Sequence, residues 1–249
     1  MYKRLIEGKK AAFFDLDGTI VDTEPLWEQA FGNVLRLYDA EIVTYNELPD
    51  GATVPQKWEY IFYKYKEYLD RIPNIKELTD LTYKEYLKII SQTPLDVRPG
   101  FWDLVLTLKE DKKLKTALVT NTSKDITQKV LEKLGVFKTF DLILTGSDIK
   151  NPKPDPEIFL TAAKNLGVKP YEVLVFEDSL SGAVAAREAG MDLVVIWDGV
   201  FDKTAYPEQT LLFSPDFEGL AGNLDLTFDE FVKKDAEQAA KESQEETTT

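Results

Sequence analysis

Residues 11–19 read AAFFDLDGT, four apolar residues followed at once by two acids and a glycine. A short apolar run of this kind predicts a buried strand over residues 11–15. Asp15 and Asp17 are two residues apart, so in an extended chain their side chains point the same way. Gly18 lets the backbone approach a ligand closely. The stretch therefore predicts a buried strand that ends in a pair of carboxylates.

Beyond residues 98–100 (Arg-Pro-Gly), apolar segments of strand length alternate with segments of helical periodicity. The predicted strands are 116–120, 141–145, 173–176 and 193–196. The predicted helices are 101–110, 124–134, 155–165 and 180–188. Such alternation predicts an α/β fold with a doubly wound, Rossmann-like parallel sheet and helices on both of its faces.

The segment from about residue 24 to residue 93 differs from this core, because it is rich in Tyr, Trp, Lys and Glu at helical spacing. Prolines interrupt it, which predicts several helices. The first strand belongs to the same sheet as the later ones, so this segment is an inserted α-helical cap domain. We divide the chain into core (1–22), cap (23–95), core (96–226) and a C-terminal helix with a polar tail (227–249) that we expect to be disordered.

The 249-residue chain contains neither cysteine nor histidine. This composition excludes disulfides, thiolate catalysis, the Ser-His-Asp mechanism and the common zinc sites. The formal net charge of −14 opposes binding to nucleic acid and to anionic membranes. It also repels a phosphorylated substrate, so a phosphate site in this chain needs a divalent cation and a well-placed lysine.

No apolar run approaches the roughly 20 residues of a membrane helix. The charged N-terminus meets the first strand too soon for a signal peptide. We therefore expect a cytoplasmic protein, and we expect it to be a monomer.

Ligands of open parallel sheets bind at the carboxyl ends of the strands. Thr120 and Asn121 follow the second predicted strand, Lys153 follows the third, and Glu177 and Asp178 follow the fourth. The Thr120 hydroxyl suits a phosphoryl oxygen, and Lys153 is a point charge held between prolines. Glu177 and Asp178 are hard oxygen ligands suited to Mg²⁺. Together with the first pair of acids, these side chains converge on one edge of the sheet.

Four segments resemble the motifs of the haloacid dehalogenase-like superfamily, in the branch with a small helical cap, and they occur in the family's order. They are FFDLDGTIVDTE (13–24), VTNTS (119–123), KPDPEIF (153–159) and FEDSLSGA (176–183). The β-phosphoglucomutase-like and small-molecule phosphatase members look most similar. The resemblance covers roughly residues 10 to 200.

This resemblance implies that Asp15 is a nucleophile and Asp17 a general acid and base. It implies Mg²⁺ bound by the Asp15 carboxylate, the Asp17 carbonyl and Asp178, with Glu177 either as a further ligand or behind the ligands. The candidate substrate-binding residues are Thr120, Asn121 and Lys153. The predicted activity is Mg²⁺-dependent hydrolysis of a small, phosphosugar-like phosphomonoester through an aspartyl-phosphate.

Three alternatives compete with this activity. A phosphosugar mutase needs an Arg or Lys of the cap at the site, but residues 51–57 contain no arginine and the chain has no histidine. A dehalogenase does not need the acid at Asp17. A non-catalytic binding protein on the same fold is disfavoured because Asp15 and Asp178 are both present.

Two features of the cap leave their roles open. One is a stripe with helical spacing, which fits either the core of the cap or an aromatic platform for a sugar or base. It consists of Trp58, Ile61, Phe62, Tyr65, Leu69 and Ile72. The other is the pair Asp22 and Glu24, at the point where the chain leaves for the cap. A hinge or cap-docking role is as compatible with this pair as contact with substrate.

Overall fold

The computed structural model describes residues 5–38, 40, 44–65, 74–225, 230 and 233. Within these residues, six parallel strands form one sheet in the order β3-β2-β1-β4-β5-β6. The strands are β1 (Ala11–Phe14), β2 (Lys115–Val119), β3 (Leu142–Leu144), β4 (Val173–Glu177), β5 (Asp192–Ile196) and β6 (Thr210–Ser214). Strand order reverses at β1, between β2 and β4. The residues that follow these three strands therefore meet at the switch point of the sheet, where α/β folds bind ligands.

The helices of the described residues fall into two groups. They are α1 (Glu24–Arg36), α2 (Val54–Tyr65), α3 (Ile75–Gln92), α4 (Phe101–Leu106), α5 (Lys124–Leu134), α6 (Glu157–Leu166) and α7 (Leu180–Glu188). The first three lie between β1 and β2 and form the cap. The other four belong to the core, so the doubly wound core and the inserted helical cap predicted from the sequence are confirmed.

Both faces of the sheet are covered. Along β1, Ala12 and Phe14 belong to one buried apolar cluster, and Ala11 and Phe13 belong to another on the opposite face. All four side chains are buried, which explains why the strand reads as a continuous apolar run. The first cluster extends into the cap through residues such as Trp58. The cap and one face of the core therefore share apolar packing.

Within the cap, α3 packs against both α1 and α2. The side chain of Asn74 accepts a hydrogen bond from the N–H of Glu77 at 3.0 Å and caps α3. Trp58 and Ile61 of the predicted stripe are fully buried, and the indole of Trp58 donates to the Thr82 hydroxyl at 3.0 Å. These residues form the core of the cap. Leu69 and Ile72, which belong to the same stripe, lie outside the described residues.

We propose that the cap spans residues 23–95, because α1 begins at Glu24 and α3 ends at Gln92. The two stretches that join the cap to the core then follow β1 and precede α4. The C-terminal helix and tail predicted for residues 227–249 lie, except for residues 230 and 233, outside the described residues.

Two elements differ from the sequence prediction. The strand β6 was not predicted, although its sequence TLLFS contains three consecutive apolar residues; it pairs with β5 at the edge of the sheet. Only a short 3₁₀ stretch, Lys203–Ala205, separates it from β5, so the alternation of strands and helices does not extend to it. The helix predicted over 101–110 is α-helical only to Leu106 and continues as a π-helical stretch, Thr107–Asp111. Over the described residues, none of the helices combines the length and the apolar character of a membrane span.

Candidate active site

Asp15 directly follows β1, and its backbone N–H donates to the carbonyl of Phe176 at 3.0 Å. Its Oδ1 accepts a hydrogen bond from the ammonium of Lys153 at 2.6 Å. The same ammonium donates to Glu177 Oε1 at 2.7 Å and to the carbonyl of Val119 at 2.8 Å. All three N–H groups of Lys153 are used, and its side chain is 2% exposed. The site therefore contains a fixed, buried cation beside the carboxylate of Asp15.

Asn121 positions the loop that carries Lys153. Its Oδ1 accepts from the Lys153 backbone N–H at 3.0 Å, and its Nδ2 donates to the Lys153 carbonyl at 3.3 Å. The same Nδ2 donates to the carbonyl of Gly51, in the cap, at 2.9 Å. Asn121 was predicted to bind substrate. It does line the cavity, but its amide group joins two loops.

Glu177, at the end of β4, has both carboxylate oxygens engaged. While Oε1 accepts from Lys153, Oε2 accepts from the N–H groups of Asp178 and Ser179, at 2.9 Å each, and from the Ser179 hydroxyl at 3.0 Å. The sequence left open whether Glu177 binds the metal or lies behind the metal ligands. Because both of its oxygens already accept hydrogen bonds, these contacts favour a place behind the ligands.

Asp178 lies against the turn that follows β1. Its Oδ1 accepts a hydrogen bond from the hydroxyl of Thr19 at 2.7 Å. Gly18 has a φ of +79°, and a Cβ at this position would lie 2.0 Å from Asp178 Oδ2. Only glycine satisfies both conditions. The glycine of the DxDGT stretch thus allows the acid after β4 to approach the backbone after β1.

The charges of this cluster do not balance. Burial raises the pKa of Asp15 well above its usual range; Lys153 opposes this shift and Glu177 adds to it. Burial also raises the pKa of Asp178, and Glu177 and Asp15 add to the increase. Burial lowers the pKa of Lys153, but Asp15 and Glu177 outweigh it, so the net shift is upward. Asp15 and Glu177 thus share one ammonium, while the neighbouring Asp178 has no contact with it among the described residues, so the cluster favours an additional cation.

The residues present fit a magnesium ion bound through few protein ligands. Across the described residues, no three Asp or Glu side chains converge as a ligand group for one ion, so the four predicted acids do not form a cage. Mg²⁺ commonly binds through one or two carboxylates and keeps several waters. Asp15 and Asp178 supply two such carboxylates within electrostatic reach of one another.

Asp17 faces the cap. Its Oδ1 accepts from the Thr23 hydroxyl at 2.6 Å, the Trp27 indole at 3.0 Å and the Tyr86 hydroxyl at 3.3 Å. Its Oδ2 accepts from the Thr122 hydroxyl at 2.6 Å. Asp15 and Asp17 line the same cavity, as predicted from their spacing, but Asp17 is held by residues from both the cap and the core.

Thr120 is buried at the end of β2, where its N–H donates to the carbonyl of Leu144 at 3.1 Å. Its hydroxyl oxygen accepts from the N–H of Thr122 at 3.1 Å and lines the same cavity as Asp15 and Lys153. The predicted residues from four strand ends are thus brought together at one edge of the sheet.

The cap closes this edge. The N–H of Leu180 donates to Asp50 Oδ2 at 2.6 Å, next to the contact between Asn121 and Gly51. Gly51 has a φ of +62°, and a Cβ there would lie 2.1 Å from the Ser181 hydroxyl oxygen. The cavity that remains under the cap has a volume of about 60 Å³.

Sequence reasoning missed several residues that line this cavity. They are Trp27, Phe31, Val54, Lys57, Tyr83 and Thr122. Thr122 lies within the quoted VTNTS segment. The others lie on cap helices, where helical periodicity alone does not tell which face meets the core. Glu24, whose role was left open, also lines the cavity, and its carboxylate accepts from Tyr45 at 2.9 Å.

A comparison of the sequence with known families agrees with the fold and the site described above. The model of the haloacid dehalogenase-like hydrolases matches residues 9–190. The chain belongs to the haloacid dehalogenase-like hydrolases. Its matched relatives include named phosphatases, so this member of the family is a hydrolase of the phosphatase type.

Two relatives of this hydrolase illustrate the range of named activities. A phosphorylated carbohydrates phosphatase from Thermotoga maritima is 33% identical over 193 residues, covering 74% of this chain and 83% of the relative. A beta-phosphoglucomutase from Bacillus subtilis is 31% identical over 196 residues, covering 76% of this chain and 84% of the relative.

A solved structure of CbbY from Rhodobacter sphaeroides, in complex with phosphate, has a similar fold. The TM-score is 0.75 at 25% identity, and the match covers 88% of this hydrolase and 100% of the CbbY chain.

Proposed function

We propose that this hydrolase removes phosphate from a small phosphomonoester, a phosphorylated sugar or sugar alcohol, through an aspartyl-phosphate on Asp15. The observation that carries the proposal is the 2.6 Å contact between Asp15 and Lys153, a buried ammonium whose three donors are all used. The relative from T. maritima supports the substrate class, since its name describes phosphorylated carbohydrates. Cytoplasmic location and a monomeric state stay predictions.

In the first step, an oxygen of the Asp15 carboxylate attacks phosphorus and the bond from phosphorus to the alcohol oxygen breaks. Lys153 holds Oδ1 of Asp15, which leaves Oδ2 for the attack. Asp17 gives a proton to the departing alcohol oxygen. In the second step, water attacks phosphorus of the aspartyl-phosphate while Asp17 takes a proton from that water. The bond from phosphorus to the Asp15 oxygen breaks, which releases inorganic phosphate and regenerates the Asp15 carboxylate.

The residues that surround the two acids have distinct roles in this proposal. Thr120 offers its hydroxyl to a phosphoryl oxygen, and Lys153 neutralises charge beside it. Asn121 fixes the backbone of Lys153, and Glu177 fixes its ammonium. The donors from Thr23, Trp27, Tyr86 and Thr122 orient the carboxylate of Asp17.

We further propose that a bound Mg²⁺ would be held by the carboxylates of Asp15 and Asp178 and by the carbonyl of Asp17. When bound, such an ion neutralises charge on the transferring phosphoryl group. The excess of buried acids supports this proposal, because without a cation the site repels a phosphate dianion. Glu177 stays behind the ligands.

The experiment is a phosphate-release assay over phosphosugars, phosphoglycolate, nucleotides and an aryl phosphate, with Mg²⁺ and with EDTA. We expect EDTA to abolish turnover and Mg²⁺ to restore it. Calcium should inhibit, because its larger and looser coordination shell misplaces the nucleophile. Undiminished turnover in EDTA would contradict the metal proposal, and no phosphate release from any substrate would contradict the phosphatase proposal.

A phosphosugar mutase is the second candidate, because a relative that covers three quarters of the chain is named beta-phosphoglucomutase. The sequence argument against it was that residues 51–57 contain no arginine. Lys57, however, lines the cavity from the cap, so a cation does face the site. A coupled assay for phosphosugar isomerisation, run beside phosphate release, separates the two activities.

A further inference from the structure

Lys57 is a buried cation with unused hydrogen-bond donors. It lies in α2 and is 7% exposed. Its ammonium donates to the hydroxyl of Tyr45 at 2.6 Å and lies 4.4 Å from the centre of the Tyr45 ring. Within the described residues it has no other hydrogen-bond acceptor, so two of its three N–H groups lack a protein partner. Because unpaired buried donors are costly, these N–H groups need an acceptor from a ligand or from water.

Glu24 is the complementary acceptor. The Tyr45 hydroxyl donates to its Oε2 at 2.9 Å, so Tyr45 lies between the ammonium of Lys57 and the carboxylate of Glu24. Within the described residues, Oε1 of Glu24 has no donor. The trio of Lys57, Tyr45 and Glu24 therefore offers both donors and an acceptor, the combination that an alcohol hydroxyl can satisfy.

This trio lies where two cavities meet. The cavity at Asp15 has a volume of about 60 Å³, and a neighbouring cavity between cap and core has a volume of about 470 Å³. Both are lined by Glu24, Asp50, Lys57 and Asp178. The larger volume falls in the usual range of small-molecule sites, roughly 300–1,000 Å³. The small cavity suits a phosphoryl group, and the larger one suits the alcohol that carries it.

The aromatic rings and the charges of the larger cavity limit what this alcohol can be. Trp197, Phe201 and Tyr206 line it, which gives apolar ring surface for the carbon skeleton of a ligand. Lys57 has the carboxylates of both Glu24 and Asp50 as charged neighbours. Two cations line the larger cavity, Lys57 and Arg98, against the six carboxylates of Asp22, Glu24, Glu28, Asp50, Asp178 and Asp198. Because the acids outnumber the cations, a second phosphate at this position would be repelled.

We infer that Lys57 and Glu24 form a specificity site that binds hydroxyl groups of the leaving alcohol, so that the substrate is a polyhydroxylated monophosphate and not a bisphosphate. The inference rests on the proposed phosphatase function and deepens it. One hydroxyl accepts from Lys57 and donates to Glu24, while the phosphoryl group lies at Asp15. This assignment disfavours the mutase, whose bisphosphate needs a cationic cap.

The first test compares ligands on the unmodified protein and on Asp15→Asn, which binds without turnover. The ligands are a hexitol monophosphate, hexyl phosphate and a hexitol bisphosphate. We expect the kcat/KM of the hexitol monophosphate to be about 10- to 100-fold above that of hexyl phosphate. This factor corresponds to the contribution of a hydrogen bond to a charged group. Calorimetric affinities on Asp15→Asn should have the same order. Equal values for the two monophosphates, or preference for the bisphosphate, overturn the inference.

The second test uses variants of the trio. Lys57→Met should lower kcat/KM for the hexitol monophosphate about 10-fold or more relative to hexyl phosphate. Glu24→Gln keeps an acceptor for Tyr45 but removes the charge, so it should raise binding of the bisphosphate relative to the monophosphate. Lys64→Met is the matched control, since Lys64 lies on the same helix but pairs with Glu47 outside both cavities. The inference is overturned if Lys57→Met leaves the ratio of kcat/KM for hexitol monophosphate to hexyl phosphate unchanged, or if Lys64→Met changes this ratio equally.

The phosphatase proposal and the specificity-site proposal can be contradicted independently of each other. No phosphate release from any substrate contradicts the phosphatase, whereas the calorimetric order on Asp15→Asn still decides the specificity site. Release that does not distinguish hexitol from hexyl phosphate contradicts the specificity site alone. If Lys57→Met does not fold, Tyr45→Phe removes the linking hydroxyl and keeps the ring, and it should lower the same ratio.

Discussion

The edge of the sheet and the underside of the cap contribute to the same cavity in different ways. At the sheet edge, Asp15, Thr120 and Asp178 occupy positions fixed by the ends of three adjacent parallel strands. Under the cap, Lys57 and Glu24 come from two helices and meet through a tyrosine that lies between those helices in sequence. Sheet topology thus fixes the groups proposed for chemistry, whereas helix packing fixes the groups proposed for selectivity.

Asp15→Asn should have the largest effect on the activity proposed for the sheet edge. It removes the attacking oxygen, so we expect turnover to fall by at least about 10⁴-fold and no phosphoenzyme to form. The amide oxygen can still accept from Lys153, and a buried carboxylate with a raised pKa is removed. The melting temperature should therefore not fall. Acid-quench trapping with labelled substrate and a thermal melt measure the two effects, and label retained by this variant would exclude Asp15 as the nucleophile.

Asp17→Asn tests the residue where the two regions meet. It keeps the nucleophile and the Asp17 carbonyl but loses proton transfer, typically worth ~10²–10⁴-fold. The loss should be larger for sugar phosphates than for an aryl phosphate, whose leaving oxygen barely needs a proton. Some aspartyl-phosphate should accumulate, because the attacking water lacks its base.

The measurement for Asp17 is the rate against the pKa of the leaving group, for the unmodified protein and for Asp17→Asn. Asp103→Asn is a control, because Asp103 is exposed on α4 and lines neither cavity. Equal losses with both kinds of leaving group would remove Asp17 from the acid role.

Asp50→Asn tests the contact between the cap and the core through the stability of the fold. Burial raises the pKa of Asp50 to about 6, and the charges of Glu177 and Glu24 add to this shift. The hydrogen bond from the N–H of Leu180 and the charge of Lys57 oppose it. The folded pKa lies above the unfolded one, so the folded state binds more protons between pH values of about 4 and about 6. The contribution of Asp50 to the free energy of unfolding therefore falls as pH rises through this window, by up to about 3 kcal/mol for a shift of about two units.

The asparagine can accept from the Leu180 N–H without a charge. Asp50→Asn should thus be more stable than the unmodified protein above a pH of about 6 and equal to it below about 4. Denaturant unfolding across this pH range measures the difference. Asp80→Asn, at an exposed residue paired with Lys76, is the control for the same chemical change on the surface of the cap. A constant difference at all pH values would show that Asp50 does not titrate in this window.

Much of the fold and of the sheet edge could be predicted, because each buried strand reads as an apolar run and the next polar residue must lie at its end. Strand β6 also contains an apolar run, TLLFS, but no α-helix separates it from β5, so the strand-helix alternation that identified the other strands does not include it. Lys57 was not predicted to line the site, for a different reason. The stripe through Trp58 and Ile61 predicts the buried face of α2, but nothing in the spacing tells that the neighbouring lysine is buried as well, against Tyr45.

Asn121→Ala removes the direct link between the two regions and should have the smallest effect. The amide of Asn121 joins the backbone of Lys153 to the carbonyl of Gly51 in the cap. Its loss leaves the ammonium of Lys153 held by Asp15 and Glu177, so we expect only about a tenfold fall in kcat/KM, consistent with one or two neutral hydrogen bonds. The fall should come with faster proteolysis of the loop at Gly51, because the cap is less firmly closed. Asn165→Ala, at an exposed position on α6, is the control for the same chemical change. A loss as large as that of Asp17→Asn, without faster cleavage at Gly51, would mean that Asn121 contacts the substrate directly, as the sequence alone predicted.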